Sequence, residues 1–142
     1  MLIRNQERVI PVRFRDKREL TAYLKSYEAY YWDARDILCN CCPGSPMISD
    51  TPRILNHMSK IEQYNRDIEQ YDYDIDKMDE IRELIEELRN IDAWYYVIVL
   101  KKYTSFMKLE SIAGLIGKSP SYTQKTYNKA LTALFNIAND LV

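Results

Sequence analysis

Isoleucine recurs every seven residues along the middle of this chain, at Ile54, Ile61, Ile68 and Ile75. A seven-residue apolar period belongs to an α-helix that lays one stripe along a partner helix; a strand, with period two, cannot use it. Tyr64, Tyr71 and Met78 stand three residues after Ile61, Ile68 and Ile75 and complete the stripe. The register then slips by one, to Ile81, Ile85 and Leu88, as in the phase skips of coiled coils. The opposite face is acidic: Glu62, Glu69, Asp72, Asp76, Asp79, Glu83, Glu86 and Glu87. The spacing predicts one long helix from about Pro52 to Asn90. Ser49, Asp50 or Thr51 can cap it, and Pro52 suits its first turn.

A stripe this long needs a partner, and an earlier segment supplies one. Leu20, Leu24, Tyr27, Tyr31, Ala34 and Leu38 follow heptad spacing, widened by Tyr23, Tyr30 and Ile37. Asp16 is a natural N-cap for that helix. Residues 1–15 read as a loose or short extended arm interrupted by Pro11, and the Pro-rich and Ser-rich stretch Asn40–Pro52 as a loop. The expected architecture is all-α. A long antiparallel, coiled-coil-like hairpin (17–39 against 52–75, the second helix overhanging) precedes a C-terminal helix-turn-helix module of three helices. The domain limits are 1–15 for the arm, 16–90 for the hairpin and 91–142 for the module. An overhanging apolar stripe invites a homo-oligomer, most simply a dimer. Twelve tyrosines suit half-buried seams and wet interfaces.

Charge is segregated although the net is only −1. Residues 53–90 carry six Arg/Lys against eleven Asp/Glu, whereas residues 91–142 carry six Lys against three acids. A basic module follows an acidic one. No apolar run is long enough to span a bilayer, and the N-terminus lacks a signal peptide's apolar stretch. Three cysteines, Cys39, Cys41 and Cys42, form no disulfide framework, which fits a reducing cytoplasm. With His57 they do not make zinc-ligand spacing. There is one histidine, no Gly-rich phosphate loop and no nucleophile signature, so no catalytic role and no cofactor or metal is expected.

The chemistry lies in residues 91–135. Leu109, Ile112, Ala113 and Ile116 share one face of a short helix, with Ala113 small enough for a close crossing. Gly117 can take the turn, and Ser119-Pro120 starts the next helix, 120–136. Thr123, Tyr127, Ala130, Leu131 and Leu134 point inward. The other face carries Ser121, Tyr122, Gln124, Lys125, Asn128 and Lys129, and no acid lies between Ser111 and Asn139. Gln and Asn can pair with adenine edges, and Lys125 and Lys129 can hold phosphate or guanine. Lys118, Ser119, Ser121 and Tyr122 stand at the helix N-terminus, where dipole and free amides favour phosphate. Lys101 and Lys102 close the preceding helix and could add phosphate contacts. The expected partner is double-stranded DNA.

Tyr103, Ile112-Ala113, Leu115-Ile116-Gly117-Lys118-Ser119 and Lys129-Ala130-Leu131 resemble region four of bacterial sigma factors in type and spacing. The whole chain resembles the small phage regulators of the RinA/ArpU type, through its tyrosine-rich first helix, Ser45-Pro46-Met47, Ser49-Asp50 and the acidic stretch 62–87. The resemblance implies a phage or prophage transcription regulator acting in the bacterial cytoplasm, with RNA polymerase as a possible second partner. Three residues depart from the pattern. Phe106 stands where the linker has Gly, Lys108 where a Ser or Thr caps the next helix, and Thr123 where Val is usual. Thr123 fits a core only if its hydroxyl bonds back to its own helix. Rival readings are a small-terminase-like DNA-packaging subunit and a protein-binding helical adaptor.

Overall fold

The computed structural model describes residues 13–40 and 53–139. Every regular element among them is helical: α1 (Lys17–Asn40), α2 (Arg53–Glu86), a 3-10 turn (Glu87–Asn90), α3 (Ala93–Thr104), α4 (Leu109–Ile116) and α5 (Pro120–Ala138). The all-α class expected from the periodicity is the class observed. Residues 1–12 of the arm, the 41–52 loop with Cys41, Cys42 and the candidate caps, and the side chains of Ile54 and His57 lie outside the described residues. Among the described residues no helix is long and apolar enough to cross a membrane.

Local chemistry sets the helix ends. Asp16 Oδ1 accepts from the Glu19 N–H at 3.0 Å. Glu19 turns back to accept from the Arg15 N–H at 2.8 Å and from Arg15 Nε at 2.7 Å. The pair resembles a capping box shifted one residue outward, and the Arg15 backbone and side-chain donors hold the Glu19 carboxyl below its ordinary range. At the far end of α2 the chain tightens into the 3-10 turn, where the Leu88 carbonyl accepts from both the Ile91 and Asp92 N–H groups. Asp92 then caps α3, its Oδ1 accepting from the Trp94 N–H at 2.8 Å.

The chain divides into two compact units, and the division differs from the expected boundary near Asn90–Asp92. The first unit joins the residues up to Glu28 with those from Asp79 onward; the second is 29–78. The reason is burial. Leu20, Leu24 and Tyr27 of α1, Ile81, Leu84 and Ile85 of α2, and Leu88 are as fully enclosed as Ile98, Val99, Ile112 and Leu134 of the last three helices. Each aliphatic side chain buried this way stabilises the fold by about 1.5–3 kcal/mol, so the first turns of α1 are part of the core. α5 packs on α3, α4 and the 3-10 turn.

Polar clamps hold the same unit together. Asn139 Oδ1 accepts from the Phe14 N–H and its Nδ2 donates to the Phe14 carbonyl, both at 2.8 Å, while Arg13 donates to the Asn139 carbonyl at 2.5 Å. Arg13 and Phe14, at the end of the expected loose or short extended arm, are therefore tied to the end of α5. Lys17 Nζ donates to the Thr132 hydroxyl at 2.5 Å. The Tyr103 and Tyr127 hydroxyls meet inside the unit. Burial, the first cause for each, raises both phenols above their ordinary range.

In the second unit α1 and α2 meet through polar aromatics. The Tyr30 and Tyr73 rings stand edge to face at 6.1 Å. A pairing of 17–39 with 52–75 would have put Tyr30 near residue 62, about three helical turns earlier. Ile61, Tyr64 and Ile68 of the heptad stripe remain 46%, 52% and 40% exposed, and Leu38 is exposed too. Asp74 is buried and accepts from Gln70 Nε2 at 3.0 Å. Burial and then the neighbouring Asp33 carboxyl push the Asp74 carboxyl up to about 6.

That shift fixes a sign. A carboxyl raised from 3.8 to about 6 on folding holds its proton more tightly in the native state, so stability falls as pH rises from about 4 to about 6 and stays at the lower value above. Asp74→Asn, which keeps an acceptor for Gln70, should raise stability at pH 7 by about 2 kcal/mol and change it little at pH 4. Denaturant melts at the two pH values test this; an equal effect at both would overturn it.

Candidate nucleic-acid interface

α4 is short and amphipathic. Ile112 and Ala113 are buried, Leu109 and Ile116 half-buried, and Glu110, Ser111, Gly114 and Leu115 exposed. Its start lacks the usual side-chain cap: Lys108 occupies the N-cap position with no side-chain hydrogen bond. Its end is well made. Gly117 adopts φ 71°, ψ 30°, the left-handed region that glycine enters without Cβ strain. The N–H groups of Gly117 and Lys118 both turn back to the Ala113 carbonyl.

Ser119 then opens α5. Its hydroxyl accepts from the Tyr122 N–H at 3.1 Å, and Pro120 takes the first helical position, where a missing N–H costs nothing. Thr123 is fully buried, and its hydroxyl donates to the Ser119 carbonyl at 3.0 Å. This is the back-bond that makes a threonine acceptable in this core. Thr123, Tyr127, Ala130, Leu131 and Leu134 are all buried, as their spacing predicts; Thr126 and Ala138 join them.

The outward face is the expected one. Ser121, Tyr122, Gln124, Lys125, Asn128 and Lys129 are exposed, as are Lys118 and Ser119 at the helix start. Positions 121, 124, 125, 128 and 129 recur at i, i+3, i+4, i+7 and i+8, which places them on one stripe. Gln124 Nε2 donates to Asn128 Oδ1 at 3.1 Å, so the two amides orient each other along the stripe. Gln124 keeps its carbonyl oxygen and one amide hydrogen, and Asn128 keeps both of its amide hydrogens, for a partner.

Lys101 and Lys102, expected to add phosphate contacts, are half-buried near the end of α3. Lys102 Nζ sits 5.6 Å from the ring centres of both Tyr103 and Tyr127, and Tyr127 belongs to the buried side of α5. Lys102 also lines a cavity of about 220 Å³ with Lys25, Glu28, Tyr103, Phe106, Met107 and Lys108. No described contact joins Lys101 to the exposed stripe. One residue escaped the sequence reading. Trp94 sits in an apolar run that reads as wholly buried, yet it is 36% exposed and lies against Lys118 at the start of α5. Its place in the first turn of α3 was the available signal.

The linker departs from the sigma-like pattern in a physically legible way. Phe106 has φ 59°, so a bulky residue occupies a conformation that costs L-residues about 1–2 kcal/mol. Its ring stands 6.3 Å from that of Tyr27, a packing contact that offsets the strain. Both Phe106→Gly and Phe106→Ala lose that contact, but only Gly relieves the backbone. Phe106→Gly should be the more stable by about 1 kcal/mol, the reverse of the usual order of Ala and Gly. Thermal melts of the pair decide it; Ala at or above Gly would show that the left-handed backbone is not the source of strain.

No family model, curated protein or solved structure matches this chain, so the reading of the exposed stripe stands on its own geometry.

Proposed function

We propose that this chain is a sequence-specific DNA-binding transcription regulator of the phage type. α4 and α5 form its helix-turn-helix, and α5 enters the major groove. The observation that carries this reading is the outward face of α5: six exposed side chains suited to DNA, with no carboxylate between Ser111 and Asn139. Gln124 and Asn128 reach base edges, Lys125 and Lys129 neutralise phosphate or read guanine, and Lys118, Ser119, Ser121 and Tyr122 hold phosphate at the helix start. The acidic face of α2 and the 3-10 turn after it (Glu62, Glu69, Asp72, Asp76, Asp79, Glu83, Glu86 and Glu87, all exposed) repels the duplex and leaves a surface for a basic partner such as RNA polymerase. The sigma-like spacing around Gly117 agrees with this role.

Joint replacement of Lys125 and Lys129 by Ala should weaken binding to a duplex and lower the slope of log affinity against log salt by about 2. Unchanged affinity and slope would remove α5 as the binding helix.

The helical hairpin is proposed as the protomer–protomer contact, because Ile61, Tyr64 and Ile68 leave an apolar stripe open on α2. Light scattering should give a dimer that Ile61→Asp with Ile68→Asp converts to a monomer. A ring of many chains would favour the DNA-packaging reading instead, and an unmixed monomer would remove the stripe as an interface.

A further inference from the structure

Lys118 does not extend freely into solvent. Its Nζ lies 5.6 Å from the Trp94 ring centre and 5.3 Å from that of Tyr122. One ammonium group thus faces two aromatic rings, one from the first turn of α3 and one from the first turn of α5. Both rings are large and partly open, Trp94 at 36% and Tyr122 at 39% exposure. Trp32 is as open and has Arg35 at 5.2 Å from its ring, but the Trp94 cluster differs in joining two helices and lying beside the exposed face of α5. Cation–π attraction at an exposed site is modest, about 0.5–1 kcal/mol per ring. It orients the ammonium without occupying its hydrogen-bond donors.

The backbone beside it is prepared in the same way. Pro120 has no N–H, the Tyr122 N–H goes to the Ser119 hydroxyl, and the Thr123 N–H goes to the Ser119 carbonyl. The Ser121 N–H is the first-turn amide of α5 that the cap leaves over. The Lys118 ammonium, held against two partly exposed rings, and the Ser121 amide and hydroxyl thus belong to the same helix start. Asp92, two residues before Trp94, accepts from the Trp94 N–H through Oδ1.

We propose that Trp94 is a DNA-contacting residue, forming with Lys118 and Tyr122 a clamp for one sugar–phosphate unit of the backbone where α5 enters the groove. The phosphate oxygens meet the Lys118 ammonium and the Ser121 N–H, and the deoxyribose packs on the indole face. Continuity favours DNA over an acidic peptide: Tyr122 follows Ser121 directly, and Gln124 and Lys125 lie within the next turn of the same helix. The inference rests on α5 being the DNA-binding helix, and it extends that footprint onto α3.

The chain has two tryptophans, so Trp32→Phe leaves Trp94 as the only indole reporter. A mixed-sequence duplex is titrated into this variant at low salt, following Trp94 emission and its quenching by acrylamide. Anisotropy of the same duplex carrying a fluorescent label reports binding separately. Emission should change and acrylamide access should fall in step with the anisotropy. Trp94→Ala should weaken binding about threefold to tenfold with Trp94→Phe in between, at unchanged helical content. If anisotropy rises while Trp94 emission and access stay fixed, the clamp is wrong and the DNA-binding reading stands. If anisotropy never rises, both fall.

Discussion

The left-handed turn at Gly117 is the constraint on which the C-terminal half depends. With φ 71° there, the chain reverses within three residues, and two N–H groups return to the Ala113 carbonyl. That reversal sets α5 against Ile112 and Ala113 and decides which side of α5 is buried. Once Thr123, Tyr127, Ala130 and Leu134 are inside, helical geometry sends Ser121, Gln124, Lys125, Asn128 and Lys129 outward. A side chain at 117 would resist the left-handed conformation, and the consequence would reach every residue of the stripe.

Polar groups inside the first unit are nearly all engaged, and their partners specify geometry more than they add stability. Asn139 exchanges two hydrogen bonds with the Phe14 backbone, Thr123 bonds back to Ser119, and the Tyr103 hydroxyl finds Tyr127 across the α3–α5 contact. The Asn139 and Tyr103–Tyr127 arrangements would each leave an unsatisfied buried group if α5 slid by one residue, a penalty of about 1–3 kcal/mol, whereas the Thr123 bond stays within its own helix. Asp74 in the second unit is different. Its carboxyl is buried beside another and is pushed toward the protonated form.

Charge and shape then divide the labour. The middle of the chain carries eleven acids and the last third carries three, none of them on the exposed face of α5. At physiological salt, fields fade over roughly 8 Å. A helix with its own acid-free face can therefore approach phosphate although the whole chain is slightly acidic. Lys102 shows a different use: a half-buried lysine of the basic third lies over the Tyr103 and Tyr127 rings.

The amino-acid sequence by itself determined the helices and the two sides of α5. Periodicity, the Asp16 and Ser119-Pro120 starts and the Gly117 stop act within a few residues of themselves, so they are legible without a fold. It also marked Phe106, Lys108 and Thr123 as irregular, and each proved so for a local reason: a left-handed backbone, an uncapped start and a back-bonded hydroxyl. Tertiary structure alone decided what those helices pack against. Heptad stripes are compatible with several registers, and contacts such as Tyr30 with Tyr73 and Phe14 with Asn139 settled which residues were enclosed. It likewise decided that Trp94 is open and Lys102 is not on the exposed stripe, because the exposure of a residue in an apolar run depends on the neighbour that covers it, and that neighbour is distant in sequence.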